Sequence, residues 1–173
     1  VILLLFSDNH RDTISVDTII ARHPEAELRV SLGDSELSES ALTARDVFGV
    51  RGNYPFEPDF PADLIFEWQG HRALLTHGHL FSVKTGLYSL NCHAKESECD
   101  LVFFGHTHQW MVEKEETIVF VNPGSTTHPK GRGEPTYALI HLVPDSIRVD
   151  IRAVSDGRPV HQAVFQIRTR RRE

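Results

Sequence analysis

Apolar side chains arrive in two rhythms along this chain. Residues 1–10, VILLLFSDNH, form an unbroken apolar run ending in a polar turn, the pattern of a strand buried on both faces. Residues 12–23 carry Ile14, Ile19 and Ile20 at roughly helical spacing and stop before Pro24, which predicts a helix. A second strand over 27–36, a short helix over 38–46 and a third strand over 47–53 follow. That β-α-β-α-β order predicts an α/β layer on parallel strands.

Pro55, Pro58 and Pro61 then mark a loop over 54–63. Beyond it the pattern predicts a hairpin over 63–79 turning at Gln69-Gly70, and a helix within 84–99 with Leu87, Leu90 and Ala94 on one face. A buried strand over 100–108, a hairpin over 110–125 and a last pair of strands over 136–154, turning at Pro144-Asp145, complete the reading. No repeat appears, and the flanks of the proline loop are core-like, so one domain over 1–173 is expected.

The polar positions gain meaning from this layout. Asp8, His10, Asp34, Asn53, His77, His106 and His108 all fall just past the C-terminal end of an expected strand. Ligands of open α/β sheets bind at that edge, because the loops converge there. Each residue alone has a plain reading: His10 as a loop histidine, Asp34 as a helix N-cap. Seven metal-capable side chains on five strand ends favour a metal site. Gly33, Gly52, Gly78 and Gly105 stand beside these residues, where the chain must turn or leave room.

Composition narrows the rest. The chain has 173 residues, 40% hydrophobic and 24% charged, which fits a globular domain able to bury a core. Its longest apolar run, residues 1–6, is far too short to cross a bilayer, and no signal peptide is expected. A formal net charge of −6 argues against gripping a long nucleic acid. The basic tail 168–173 reads as a loose terminus. Cys92 and Cys99 match no common zinc spacing and read as reduced thiols of a cytoplasmic protein. Six of the eleven histidines, His23, His71, His93, His128, His141 and His161, lack motif context and read as ordinary core or surface residues.

The ordered series D-x-H, G-D, G-N, H-G and G-H-x-H, from residue 8 through NPGS at 122–125, resembles the calcineurin-like metallophosphoesterase superfamily, and its compact bacterial and archaeal phosphodiesterase branch in particular. The resemblance implies a four-layer α/β/β/α sandwich. It also implies two divalent metal ions, with Asp8, His10 and His108 on one, Asn53, His77 and His106 on the other, and Asp34 bridging. Manganese is expected, with Fe, Ni, Co or Zn as alternatives, since oxygen and imidazole donors suit borderline ions. The implied reaction is hydrolysis of a small phosphate diester by a hydroxide shared between the metals, which such sites hold about 3.5–4 Å apart. Two other readings stay open: a phosphomonoesterase, or a non-catalytic protein-binding scaffold of the same fold.

Two positions depart from the family pattern. Tyr54 stands where many family phosphatases carry the histidine that protonates the leaving group, and Arg11 stands where a small residue is usual. Arg11 could reach a substrate phosphate as a forked donor, or be a surface arginine at a helix start. His79 could line the phosphate pocket, orient a neighbour, or be a loop histidine. Arg11 and His79 are the candidate substrate contacts. Apolar edge residues allow a homo-oligomer without selecting one.

Overall fold

A computed structural model describes residues 1–131, 133–143 and 145–168. Most of the basic tail and Pro144 of the expected turn lie outside the described residues. Eleven strands and three helices are described: β1 (Ile2–Phe6), α1 (Thr13–Arg22), β2 (Leu28–Ser31), α2 (Glu39–Thr43), β3 (Val47–Gly49), β4 (Asp63–Trp68), β5 (His71–Thr76), α3 (Tyr88–Glu96), β6 (Leu101–Phe103), β7 (Met111–Glu115), β8 (Ile118–Asn122), β9 (Thr136–Val143), β10 (Ser146–Ala153) and β11 (Pro159–Gln166). A short 3-10 turn, His79–Phe81, follows β5.

The strands form two sheets, ordered β11-β10-β9-β1-β2-β3 and β4-β5-β6-β8-β7. Strands β1, β2 and β3 run parallel, as do β5, β6 and β8. Strand β1 explains the layering by itself. Its Leu3 and Leu5 enter the core between the sheets with Val30, Leu75, Phe103 and Val121. Its Leu4 and Phe6 point the other way, onto Val16 and Ile19 of α1 and Leu42 of α2. On the far sheet, Leu74, Val102 and Phe120 meet Leu90 and Ala94 of α3. Helix, sheet, sheet and helix therefore stack as four layers, as the family resemblance implied.

Two expectations need correction. Ile14 is not part of the buried face of α1; it is 78% exposed, and the face is Ser15, Val16 and Ile19. Asp12 sets that phase by accepting hydrogen bonds from the Ile14 and Ser15 amides, which caps the helix. The last two strands are also joined by a third, β11, which pairs with β10 at the sheet edge. Its burial alternates between exposed and half-buried positions, so it carries no continuous apolar run.

Candidate metal centre

All seven side chains singled out from the sequence meet at one end of the two sheets. Asp8 and His10 follow β1, Asp34 follows β2, Asn53 follows β3, His77 follows β5, and His106 and His108 follow β6. Asp8, His10, Asp34, His106 and His108 hold φ between 43° and 69°. Left-handed backbone at a non-glycine residue costs about 1–3 kcal/mol, and such strain gathers where function requires it. Here it re-aims each side chain over the strand ends.

The donors form two adjoining clusters. Asp8, His10 and His108 each offer a ligand atom within 4.8 Å of the others, and so do Asp34, His77 and His106. Asn53 joins the second cluster, its Oδ1 lying 3.2 Å from His77 Nε2. Near that nitrogen also stand His106 Nδ1 at 3.2 Å and Asp34 Oδ2 at 3.4 Å. Asp34, expected to be shared, groups with the second cluster; Asp8 Oδ1 approaches both, 3.1 Å from His108 Nε2 and 3.9 Å from His77 Nε2.

Tautomers decide what this arrangement fits. His10 Nδ1 lies 2.7 Å from the Glu36 carboxylate, so it carries the ring proton and leaves Nε2 with a lone pair. His108 Nδ1 donates to the His128 carbonyl at 2.8 Å, with the same result. Their Nε2 atoms face each other at 3.4 Å without a proton to share. His77 Nδ1 donates to the Leu32 carbonyl at 2.7 Å, turning its Nε2 lone pair towards Asp34. Asp8 Oδ1 is buried with no hydrogen-bond partner. Acceptors that converge without donors repel unless a cation lies among them, and this donor set suits borderline divalent ions.

Protons compete for the same lone pairs. Burial works against a charged His77, but the Asp34 hydrogen bond and the Asp8 and Asp34 charges outweigh it and raise its pKa. The Asp8 carboxylate, 3.1 Å from His108 Nε2, raises the pKa of His108 against the opposing effect of burial. Burial and the His77 charge push His106 down to about 4. For Asp34, burial opposes ionisation, yet His77 and the Asn53 and Tyr54 amides bring it down to about 2. These amides donate to Asp34 Oδ1 at 2.9 and 3.2 Å. Ser7 Oγ and the His106 amide hold Asp8 Oδ2 at 2.6 and 3.1 Å. Gly52 is required by crowding, since a Cβ there would lie 2.0 Å from Asp34 Oδ1.

The two candidate substrate contacts stand differently. The His79 ring lies 5.4 Å from His77 and 6.1 Å from His106, centroid to centroid, and its buried Nδ1 has no partner. Arg11 is exposed; its Nε meets Glu36 Oε2 at 2.8 Å, and its Nη2 donates to Tyr54 Oη at 3.3 Å. Its guanidinium sits 5.8 Å from the centre of the Tyr54 ring. The two departures from the family pattern thus touch each other.

Sequence reasoning missed two groups. Glu36, two residues past Asp34, is the carboxylate that fixes His10 and Arg11 together. A Glu next to a proposed ligand is a faint signal by itself. His128, read as an ordinary histidine, packs edge-on against His10 at 5.3 Å between centroids, and its carbonyl orients His108. Its nearness to NPGS was the only hint.

The chain also has relatives among known proteins. The model of the calcineurin-like phosphoesterase superfamily domain matches residues 2–145. Probable metallophosphoesterase YsnB of Bacillus subtilis is 33% identical over 148 residues, covering 85% of this chain and 88% of that protein. Phosphodiesterase YfcE of Escherichia coli K12 is 36% identical over 107 residues, 56% of this chain and 53% of its own length. The crystal structure of a predicted phosphoesterase from Streptococcus pneumoniae TIGR4 superposes with a TM-score of 0.87 at 28% identity, covering 95% of this chain and 97% of that one. On the fold, the matched span and these relatives, the chain belongs to the calcineurin-like phosphoesterase superfamily.

Proposed function

We propose that this chain is a phosphodiesterase acting on small phosphate diesters, its two donor clusters holding a pair of divalent cations. Asp8, His10 and His108 would hold one ion and Asn53, His77 and His106 the other, with the Asp34 carboxylate, beside His77 and His106, proposed to serve both. Manganese is the expected ion, with Fe, Ni, Co or Zn as alternatives. The observation that carries this reading is the convergence of lone pairs without donors between them. When bound, such ions ready a water for attack near neutral pH and neutralise charge on the phosphoryl oxygens.

The chain's own residues do the rest. Glu36 and the His128 carbonyl hold His10 and His108 in the tautomer that presents Nε2. Arg11, exposed beside the site, offers remaining N–H groups to a substrate phosphate, and His79 lines the other flank. With Tyr54 where a leaving-group histidine is usual in the family, esters with good leaving groups are favoured. The name of YfcE supports the diester class. Two cysteines read as reduced thiols, Cys92 and Cys99, suit a reducing compartment, which we take to be the cytoplasm.

Protein purified without chelators is expected to carry stoichiometric transition metal and to hydrolyse an activated aryl phosphodiester when Mn or Ni is supplied. Asp8→Ala and His108→Ala are each expected to lose that activity; a variant with full rate overturns the ligand assignment. Faster turnover of monoesters than of diesters would favour a phosphomonoesterase. Absence of both metal and hydrolysis would leave a protein-binding scaffold.

A further inference from the structure

Beside the donor clusters lies a pocket of about 440 Å³ whose floor is Val83, Leu87, Phe104, Trp110 and Met111. That volume is in the range of small-molecule sites. Thr107, between His106 and His108, forms part of its wall, so the pocket and the clusters share a loop. Its floor also touches the His77 loop: Val83 packs so closely on Gly78 that a Cβ there would fall 2.9 Å from Val83 Cγ2. Trp110 is held in place by stacking on His161, ring centres 5.0 Å apart at 21°. An aromatic wall fixed in this manner is a ready surface for a second ring.

Two lysines mark the rim. Lys84 borders the pocket next to Val83, in the segment that follows the His79–Phe81 turn. Lys130 borders this pocket and also the open surface formed by His10, His108 and His128. Its amide donates to the His108 carbonyl at 3.1 Å, which fixes its backbone beside the first cluster. An anion seated on the clusters would therefore have a cationic edge on the side where the apolar floor begins.

We propose that this pocket is a specificity subsite for the alcohol portion of the diester that stays on phosphorus, and that it takes a planar aromatic group, a nucleobase or an aryl ring. The proposal rests on the phosphodiesterase reading above. The ring packs on Trp110, Leu87 and Met111, while Lys84 and Lys130 attract the phosphate's charge from the rim.

The test holds the leaving group constant. The Mn-loaded protein is given three p-nitrophenyl diesters whose other alcohol is methyl, phenyl or the 5′-hydroxyl of thymidine. The ring-bearing diesters are expected to exceed the methyl diester in kcat/KM by about tenfold or more, mainly through KM. Preference for both rings assigns the subsite to aromatic groups at large, and preference for thymidine alone assigns it to nucleosides. Leu87→Ser suits the test because Leu87 is the uncapped N-cap of α3, where serine is favoured. In Leu87→Ser and in Met111→Ala the ratio of ring-bearing to methyl diester should shrink several-fold. Lys84→Glu should instead raise KM for all three. A wild-type ratio near one, or a ratio that both floor substitutions leave intact, overturns the proposal. If no diester is hydrolysed, the phosphodiesterase reading fails, and the pocket is still read by fluorescence. Thymidine 5′-monophosphate should quench Trp110, methyl phosphate should not, and equal responses overturn the subsite.

Discussion

The residue that most changes how the centre is understood is Glu36. It is nearly enclosed, its side chain 7% exposed, and spends one oxygen on His10 and the other on Arg11. A carboxylate behind a ligating histidine fixes the ring's tautomer and raises its basicity, and its loss typically lowers metal affinity 10- to 100-fold, on the order of 1.4–2.7 kcal/mol. Glu36→Ala should weaken Mn binding by that factor in a calorimetric titration and leave the far-ultraviolet spectrum intact. Glu36→Gln should recover part of the loss, because an amide oxygen can still accept from Nδ1. Unchanged affinity in both would mean that His10 orients itself. Gly52→Ala is a harsher change. Its Cβ would meet Asp34 Oδ1 at 2.0 Å and the Asp34 amide at 2.4 Å, so Asp34 must leave its place. Lost metal binding and a lower melting temperature are expected together.

At the scale of elements, the sequence is legible wherever apolar periodicity is strong. The run through β1, the Leu87-Leu90-Ala94 face of α3 and both glycine-marked hairpin halves β4–β5 were all readable for that reason. Strand β11 was not, because an edge strand half open to water alternates weakly, and Pro159 at its start discourages a strand assignment. What secures that edge is polar. Asp150 of β10 is fully buried and receives Arg148 Nε and Nη2 at 2.8 and 2.7 Å and Gln162 Nε2 of β11 at 3.1 Å. Burial disfavours its charge, but the Arg148 hydrogen bonds and charge outweigh burial and lower its pKa. A carboxylate with a lowered folded pKa stabilises the fold above its unfolded pKa, and that stabilisation fades as pH falls through the acidic range. Asp150→Asn should therefore cost about 2 kcal/mol near pH 7, as expected for hydrogen bonds to a charged group. The gap in urea midpoint between wild type and variant should begin to narrow below about pH 4, the unfolded value, and close only below the lowered folded one. A gap that does not narrow as pH falls from about 5 to about 2 would place the stabilisation in shape rather than charge.

At the scale of the whole molecule, the centre is where the two sheets are tied. The gathering of these seven side chains was legible because each motif ends a strand, and strand ends of an α/β sheet converge whatever lies between them. The supporting shell was not legible: Glu36 and His128 act through a side-chain contact and a carbonyl that only folding brings into place. Each cluster draws on both sheets. Asp8 and His10 come from β1 and His108 from β6; Asp34 and Asn53 come from β2 and β3, and His77 and His106 from β5 and β6. An ion in either cluster would therefore link loops of opposite sheets across the open end of the shared core. A ligand at 100 times its Kd stabilises the native state by about 2.7 kcal/mol, and a protein of this length gains about 2–4 °C per kcal/mol, so loading should raise Tm by about 5–10 °C. Removal of metal by a chelator should reverse the gain, and His108→Ala should show a smaller one. A link between sheets also predicts where protection changes. Amide hydrogen exchange should accelerate together at Asp8 and at His106, whose amides donate to the Gly33 carbonyl and to Asp8 Oδ2, once metal is withdrawn. Acceleration confined to one of the two loops would show that the ions sit on one sheet and do not join the pair.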